Sequence, residues 1–208
     1  RTNTWDSGAD LPEPRSGHAL VALEGRLLLF GGWDGSAYRG DVFEYTPEDD
    51  SWQALSNMPT ARGHAAAAVV AGRVYLIGGT AGTGPLDVNE VFTPEAESEV
   101  NGGWTAAKPM PTPGAYVNAT VVADTIFVFG GDSKDQAAIR LGYSAAEDAW
   151  ADLGPAPASA EFDRMGVAAI GPVIHLIGGQ RDSQPESGHA TYQALYVNFI
   201  PFVESGDR

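Results

Sequence analysis

The sequence predicts an all-β fold of repeated antiparallel sheets, and three observations predict it. Four glycine pairs, Gly31-Gly32, Gly78-Gly79, Gly130-Gly131 and Gly178-Gly179, each close an apolar run and recur at intervals of 47, 52 and 48 residues. Trp5, Trp52, Trp104 and Trp150 are each followed seven residues later by a proline, at Pro12, Pro59, Pro111 and Pro157. From that proline to the next glycine pair the spacing is 19 residues in three copies and 21 in the fourth. A repeat of this length is one small sheet that cannot cover both its faces alone, so copies must stack, as they do in a β-propeller.

Each unit reads in the same order. An Ala/Val-rich run comes first, then a turn and a second apolar run ending in the glycine pair. A variable loop, a third run and the tryptophan strand follow, giving four strands per repeat. Turn chemistry sits at one place in each first hairpin: Glu24-Gly25, Ala71-Gly72, Ala123-Asp124 and Gly171-Pro172. Gly and Asp tolerate the positive φ that a tight hairpin requires. Apolar runs without strict alternation mean strands covered on both faces. The glycine pair, lacking Cβ atoms, lets a neighbouring sheet approach closely. The repeats span about 13–56, 60–108, 112–154 and 158–200 within a single domain of 1–208.

A double glycine after an apolar strand, followed by a stretch such as DVFEYTPEDDSW from Asp41 to Trp52, resembles the kelch repeat. The resemblance covers nearly the whole chain and implies a kelch-type β-propeller of four-stranded antiparallel blades. It is closest in look to bacterial, secreted-type kelch proteins. Departures are local: extra residues around Asn101-Gly102-Gly103, an altered third run from Arg140 to Tyr143, and a fourth repeat that ends in TYQALYVNFIPFV without a tryptophan.

That last departure directs the expected closure. The fourth repeat has room for a third strand near Tyr192 to Ile200 but supplies no fourth. The orphan strand is at the N-terminus, residues 2–11 around Trp5, and is expected to complete the last blade and close the ring. The alternative is the C-terminal part of a larger six-bladed kelch protein, the number of blades that the resemblance more often implies. Arg1 in place of a methionine is read as an upstream part that was removed or left out.

Composition narrows the function. With 43% hydrophobic residues the chain can bury a core, and no stretch is long and apolar enough to span a membrane. A net charge of −15 argues against nucleic acid, whose phosphates are bound by Lys and Arg. The absence of cysteine removes disulfides and thiol chemistry. It also excludes the copper and cysteine-crosslinked tyrosine of the oxidases that kelch propellers resemble. The missing initiator and the acidity favour an extracellular or periplasmic location.

Acidic residues gather on one expected face, at Glu24, Glu48, Asp49, Asp50, Glu95, Glu97, Glu99, Asp124, Glu147 and Asp148, and read as a solvated surface. The opposite face holds Arg15, Arg62, Lys108 and Arg164 before first strands, with Arg39, Lys134 and Arg181 in the loops after the glycine pairs. The resemblance implies that arginines at the start of the innermost strand surround the channel mouth and grip carboxylates. Arg15, Arg62 and Arg164 are assigned to those positions, with Gly114 in the third repeat. Trp33, Tyr38, Tyr116 and Gln180 add stacking and hydrogen bonds at the same mouth. His18 and His64 occupy similar contexts, but two imidazoles fall short of a zinc site. Asn118-Ala119-Thr120 spells a glycosylation acceptor inside an expected inner strand.

No catalytic set, metal site or cofactor is assigned. The expected function is a protein- or glycan-binding scaffold module, an exported accessory subunit of a larger assembly that docks through its loop faces. The enzymatic alternative is a kelch-type sugar mutarotase or epimerase using Glu161 or Asp163 with Arg62 and His64.

Overall fold

The computed structural model describes residues 3–131, 138–155, 164–181 and 184–194. The first sheet joins β1 (Ala19–Leu23), β2 (Arg26–Phe30), β3 (Val42–Thr46) and β4 (Ser51–Leu55) in that order. The second joins β5 (Ala66–Val70), β6 (Arg73–Ile77), β7 (Asn89–Phe92) and β8 (Trp104–Ala106). The third repeats the order with β9 (Val117–Val122), β10 (Thr125–Gly130), β11 (Ile139–Ser144) and β12 (Ala149–Asp152). The fourth has three strands among the described residues: β13 (Gly166–Ile170), β14 (Val173–Ile177) and, after the short ribbon β15 (Gln180–Arg181) and β16 (Gln184–Pro185), β17 (His189–Gln193). All neighbours pair antiparallel. Among the described residues no helix is long and apolar enough to cross a membrane.

The turn chemistry acts as expected. Glu24 and Gly25, and Ala71 and Gly72, all take positive φ, which gives the turn a twist matching the strands it joins. Inner strands lie side by side, β5 between β1 and β9 and β9 between β5 and β13. Three apolar layers fill the spaces between successive sheets. Phe30, Leu28 and Val42 meet Leu76, Phe92 and Trp104 in the first, Tyr75 and Ile77 meet Val128 and Tyr143 in the second, and Phe127 and Phe129 meet Ile174 and Leu176 in the third. Among the described residues, the fourth sheet has one covered face. Its strands alternate between protected and open positions, leaving Ile170 and Ile177 exposed.

The first two glycine pairs are explained by the neighbouring blade. Gly32 N–H donates to the carbonyl of Arg62 at 2.9 Å, and Gly79 N–H to that of Gly114 at 2.7 Å. A Cβ at Gly31 would stand 2.2 Å from the Arg62 carbonyl, and one at Gly78 would stand 2.5 Å from that of Gly114. Both have φ near +60°, which a side chain rarely adopts (58° and 65°).

The tryptophans are explained by a clamp at the outer edge. Trp150 Nε1 donates to the carbonyl of Lys108 at 2.8 Å, while Asp148, held by the Tyr143 hydroxyl, accepts the N–H of that same residue at 2.7 Å. In the first blade Trp52, Asp50 and Tyr45 repeat this arrangement on Ala9. In the second, Trp104 binds the Ser56 carbonyl and Glu97 takes the Ser56 N–H. Each clamp thus grips the segment that arrives from the preceding repeat. The closing strand expected at 2–11 is not formed there: residues 3–11 contain no strand and Trp5 is fully exposed. Ala9 stands four residues after Trp5, the place of Ser56 after Trp52 and Lys108 after Trp104, so this stretch is used as a connector on the first blade. The third strand of the fourth repeat also comes earlier than expected, at His189–Gln193, after the β15–β16 ribbon.

The clamp carries a pH dependence. The Lys108 N–H, then the Tyr143 hydroxyl, hold the Asp148 carboxyl below its ordinary value. A carboxyl depressed in the folded state adds stability that is present above its unfolded pKa, about 3.9, and is lost as the pH falls through the lower folded value. Asp148→Asn is therefore expected to flatten the loss of stability below about pH 4. Urea midpoints at neutral and acid pH check this; an unchanged acid slope in the variant would refute it.

Candidate functional site

Four residues enter the innermost strands at the same place in successive repeats: Gly17, His64, Tyr116 and Arg164, spaced by the same 47, 52 and 48 residues as the glycine pairs. All four take left-handed backbone, with φ of 61°, 54°, 57° and 51°. For a side chain this costs on the order of 1–2 kcal/mol, and hydrogen bonds between blades hold it in place. His64 N–H donates to the Gly17 carbonyl at 2.7 Å and Tyr116 N–H to that of His64 at 2.9 Å.

The shared backbone aims the side chains alike, so each lies on the residue before it. The His64 ring covers Gly17, where a Cβ would stand 2.4 Å from Cε1. Tyr116 stacks on His64 with centroids 4.2 Å apart and planes 28° from parallel. The Arg164 guanidinium lies 4.0 Å above the Tyr116 ring, a favourable cation–π distance. Tyr38 meets His64 edge to face at 6.4 Å and Trp33 at 5.0 Å, extending the aromatic rim to the loop after the first glycine pair.

Beside this stack a cavity of about 240 Å³ opens between His18, His64, Tyr116, Asn118 and Arg164. Burial, reinforced by Arg164, lowers the His64 pKa; burial and then Arg15 lower that of His18. Both imidazoles are therefore neutral at pH 7 and the local positive charge is the guanidinium of Arg164. Asn118, whose tripeptide spells a glycosylation acceptor, is half-buried in β9 and spends its amide on the Met165 carbonyl at 3.0 Å.

Several expected site residues stand elsewhere. Arg62 is buried, its guanidinium paired with Glu90 and bonded to the carbonyls of Thr60 and Leu76 at 2.9 and 3.0 Å. Burial pulls its pKa down and Glu90 opposes the shift. The Arg15 side chain is likewise enclosed, bonded to Glu13 and Asp41 and lying 5.0 Å over the Phe43 ring. Neither reaches the mouth, and Arg62 cannot serve with His64 in an acid–base set. The physical reason is a shift of two residues. By the glycine period Arg15 and Arg62 correspond to each other and to Gly114, whereas Arg164 corresponds to Gly17, His64 and Tyr116. The position two residues earlier points into the blade, and the later one points to the rim.

Trp33, Tyr38, Tyr116 and Arg164 thus come together, with His64, as the rim cluster. Lys134, Glu161 and Asp163 lie outside the described residues, as does the side chain of Arg181, whose backbone is in β15 beside Gln180. Not all the acidic residues are a solvated surface either. Asp50, Glu97 and Asp148 are acceptors in the clamps. The sequence offered a signal for this, the aspartate two residues before Trp52 and Trp150.

Antiparallel sheets stacked inner strand to inner strand, with a cavity where those strands begin, define a protein built of propeller blades. The kelch-repeats domain model described as KLHDC2/KLHL20/DRC7 matches residues 1–131. Kelch-like protein 35 of Mus musculus is 31% identical over 191 residues, covering 91% of this chain and 31% of the mouse protein. The chain belongs to the kelch-repeat family. It spans about a third of the length of that curated relative.

Proposed function

We propose that this chain is a protein-interaction domain that docks a segment of a partner protein on the rim formed by His64, Tyr116 and Arg164. The observation that carries the reading is the stacked imidazole, phenol and guanidinium beside the 240 Å³ cavity. Tyrosine and arginine are the residue types in which binding energy concentrates, and a guanidinium fixed on an aromatic face is preorganised to take a carboxylate. Neutral imidazoles add hydrogen bonds without competing charge.

The test is affinity capture with the wild-type chain, followed by titration of the captured partner against Tyr116→Ala and Arg164→Ala. Each substitution is expected to weaken binding about tenfold or more. Unchanged affinity in both would overturn the rim as the docking site. Trp33 and Tyr38 on the same rim also suit stacking against a sugar ring. Binding of neutral glycans, lost in Trp33→Ala and kept in Arg164→Ala, would favour that second reading, and with it an accessory role on glycan surfaces.

A further inference from the structure

The fourth sheet carries two histidines on the face that the earlier blades turn to their successors. By the glycine period His175 succeeds Tyr75 and Phe127, and His189 stands opposite Ile177 as Asn89 stands opposite Ile77 and Arg140 opposite Phe129. In the second blade these positions are sealed: Tyr75 and Asn89 are 5% and 2% exposed, and Tyr75 meets Tyr143 of the third blade at 5.7 Å. In the fourth blade the same face is uncovered among the described residues. His189 is exposed and His175 half-buried, with Ile170 and Ile177 open on the same face.

The two imidazoles meet across the strands. His175 Nδ1 and His189 Nε2 are 3.0 Å apart, one donating and the other accepting. Antiparallel pairing of β14 and β17 sets the two residues diagonally on one face, with Thr191 directly opposite His175. A proton is the smallest cation that two imidazole nitrogens can share, and a metal ion is the other. Imidazole nitrogens bind such an ion at about 2.0–2.1 Å, so two of them stand about 2.9 Å apart at a right angle and about 3.3 Å apart at the tetrahedral angle. The observed 3.0 Å matches the right angle, the geometry that copper(II) and nickel(II) prefer. The torsion that aims an imidazole is soft, so each ring can turn its lone pair from its neighbour to a shared ion. No third histidine, cysteine or carboxylate joins the pair among the described residues, so the closed ligand set of a structural zinc is not formed. A tetragonal ion asks less of the protein, because water takes its remaining positions.

We propose that His175 and His189 form a two-imidazole site for a tetragonal divalent transition-metal ion, with copper(II) its best-matched member, on the uncovered face of the fourth sheet. The ion takes the place of the proton between the rings. That proton moves to the far nitrogen of its own imidazole, so both residues bind as neutral ligands. The site is separate from the Tyr116–Arg164 stack and does not rest on the docking reading.

The full chain is titrated with copper(II) sulfate, following the electron paramagnetic resonance of the bound ion and the copper-dependent broadening of side-chain signals by NMR. The bound ion is expected to show the hyperfine pattern of directly coordinated nitrogen and to broaden the His175 and His189 ring signals first. His175→Gln and His189→Gln are each expected to weaken binding about tenfold or more. Thr191→His, which places a third imidazole opposite His175, is expected to tighten it by a similar factor and does not depend on removing a native side chain from the pair. Zinc(II) is expected to bind the wild-type chain more weakly than copper(II). Unchanged affinity when both histidines are replaced, or broadening centred on His64 and Tyr116 instead, would overturn the site. Zinc binding as tight as copper would overturn its assignment to a tetragonal ion.

Discussion

Arg62→Ala is expected to lower the free energy of unfolding by about 3–5 kcal/mol, the loss typical of removing one partner from a buried ion pair. The Arg62 side chain is fully enclosed and that of Glu90 is 8% exposed, so neither can turn to water when the other is removed. Truncation would leave the Glu90 carboxylate with the Thr60 hydroxyl alone and strip the Thr60 and Leu76 carbonyls of their donor. Glu90→Leu should cost a similar amount, because it orphans the guanidinium. Combining Arg62→Met with Glu90→Leu should restore most of the loss, since the double variant buries no unpaired charge. Urea unfolding of the four proteins tests this, and single variants that cost less than about 1 kcal/mol would show that the pair is solvated. Arg15→Ala should be milder, because Glu13 and Asp41 are 50% and 23% exposed and can be hydrated in its absence.

Trp104→Ala is the second large effect, also about 3–5 kcal/mol. The indole is 4% exposed and meets Phe92 at 5.0 Å and Phe30 at 6.0 Å, in the layer that joins the first two blades. Trp104→Phe keeps most of that packing and removes the hydrogen bond to the Ser56 carbonyl, so its cost should be near 1 kcal/mol. Trp52→Ala should cost less than Trp104→Ala, because the Trp52 indole is only half-buried, packing on Tyr45 and gripping the N-terminal stretch through Ala9. Equal losses at Trp52 and Trp104 in denaturant titrations would contradict this account of the clamps.

Much of the fold could be read from the residues because the repeated features answer to backbone demands. The first two glycine pairs are required where a neighbouring carbonyl comes within 2.2 or 2.5 Å of a would-be Cβ, and the hairpin residues where φ is positive. Such demands leave the same residue type at the same interval. The site was less legible. Arginine before an inner strand looks alike at positions 15, 62 and 164, yet a two-residue offset separates a guanidinium that seals the blade interior from one that lies on Tyr116. Only counting from the glycine pairs distinguishes them, and the extra residues in the fourth proline-to-glycine interval obscure that count. The closing strand was misplaced for a related reason. Trp5 carries the repeat's tryptophan, but the sheet that would bury it is not formed by residues 3–11.

The clamps of the first and third blades hold a connector by its main-chain N–H and C=O alone, on an alanine in one and a lysine in the other, whereas in the second the Ser56 hydroxyl also bonds Glu97. A joint of that kind makes no demand on the neighbour's side chains. Blades so joined are interchangeable modules, and a copy gained or lost through duplication or deletion would find its outer seam already compatible. The selective burden then falls on the apolar layers and on the rim, where the residues themselves, rather than the chain, make the contacts.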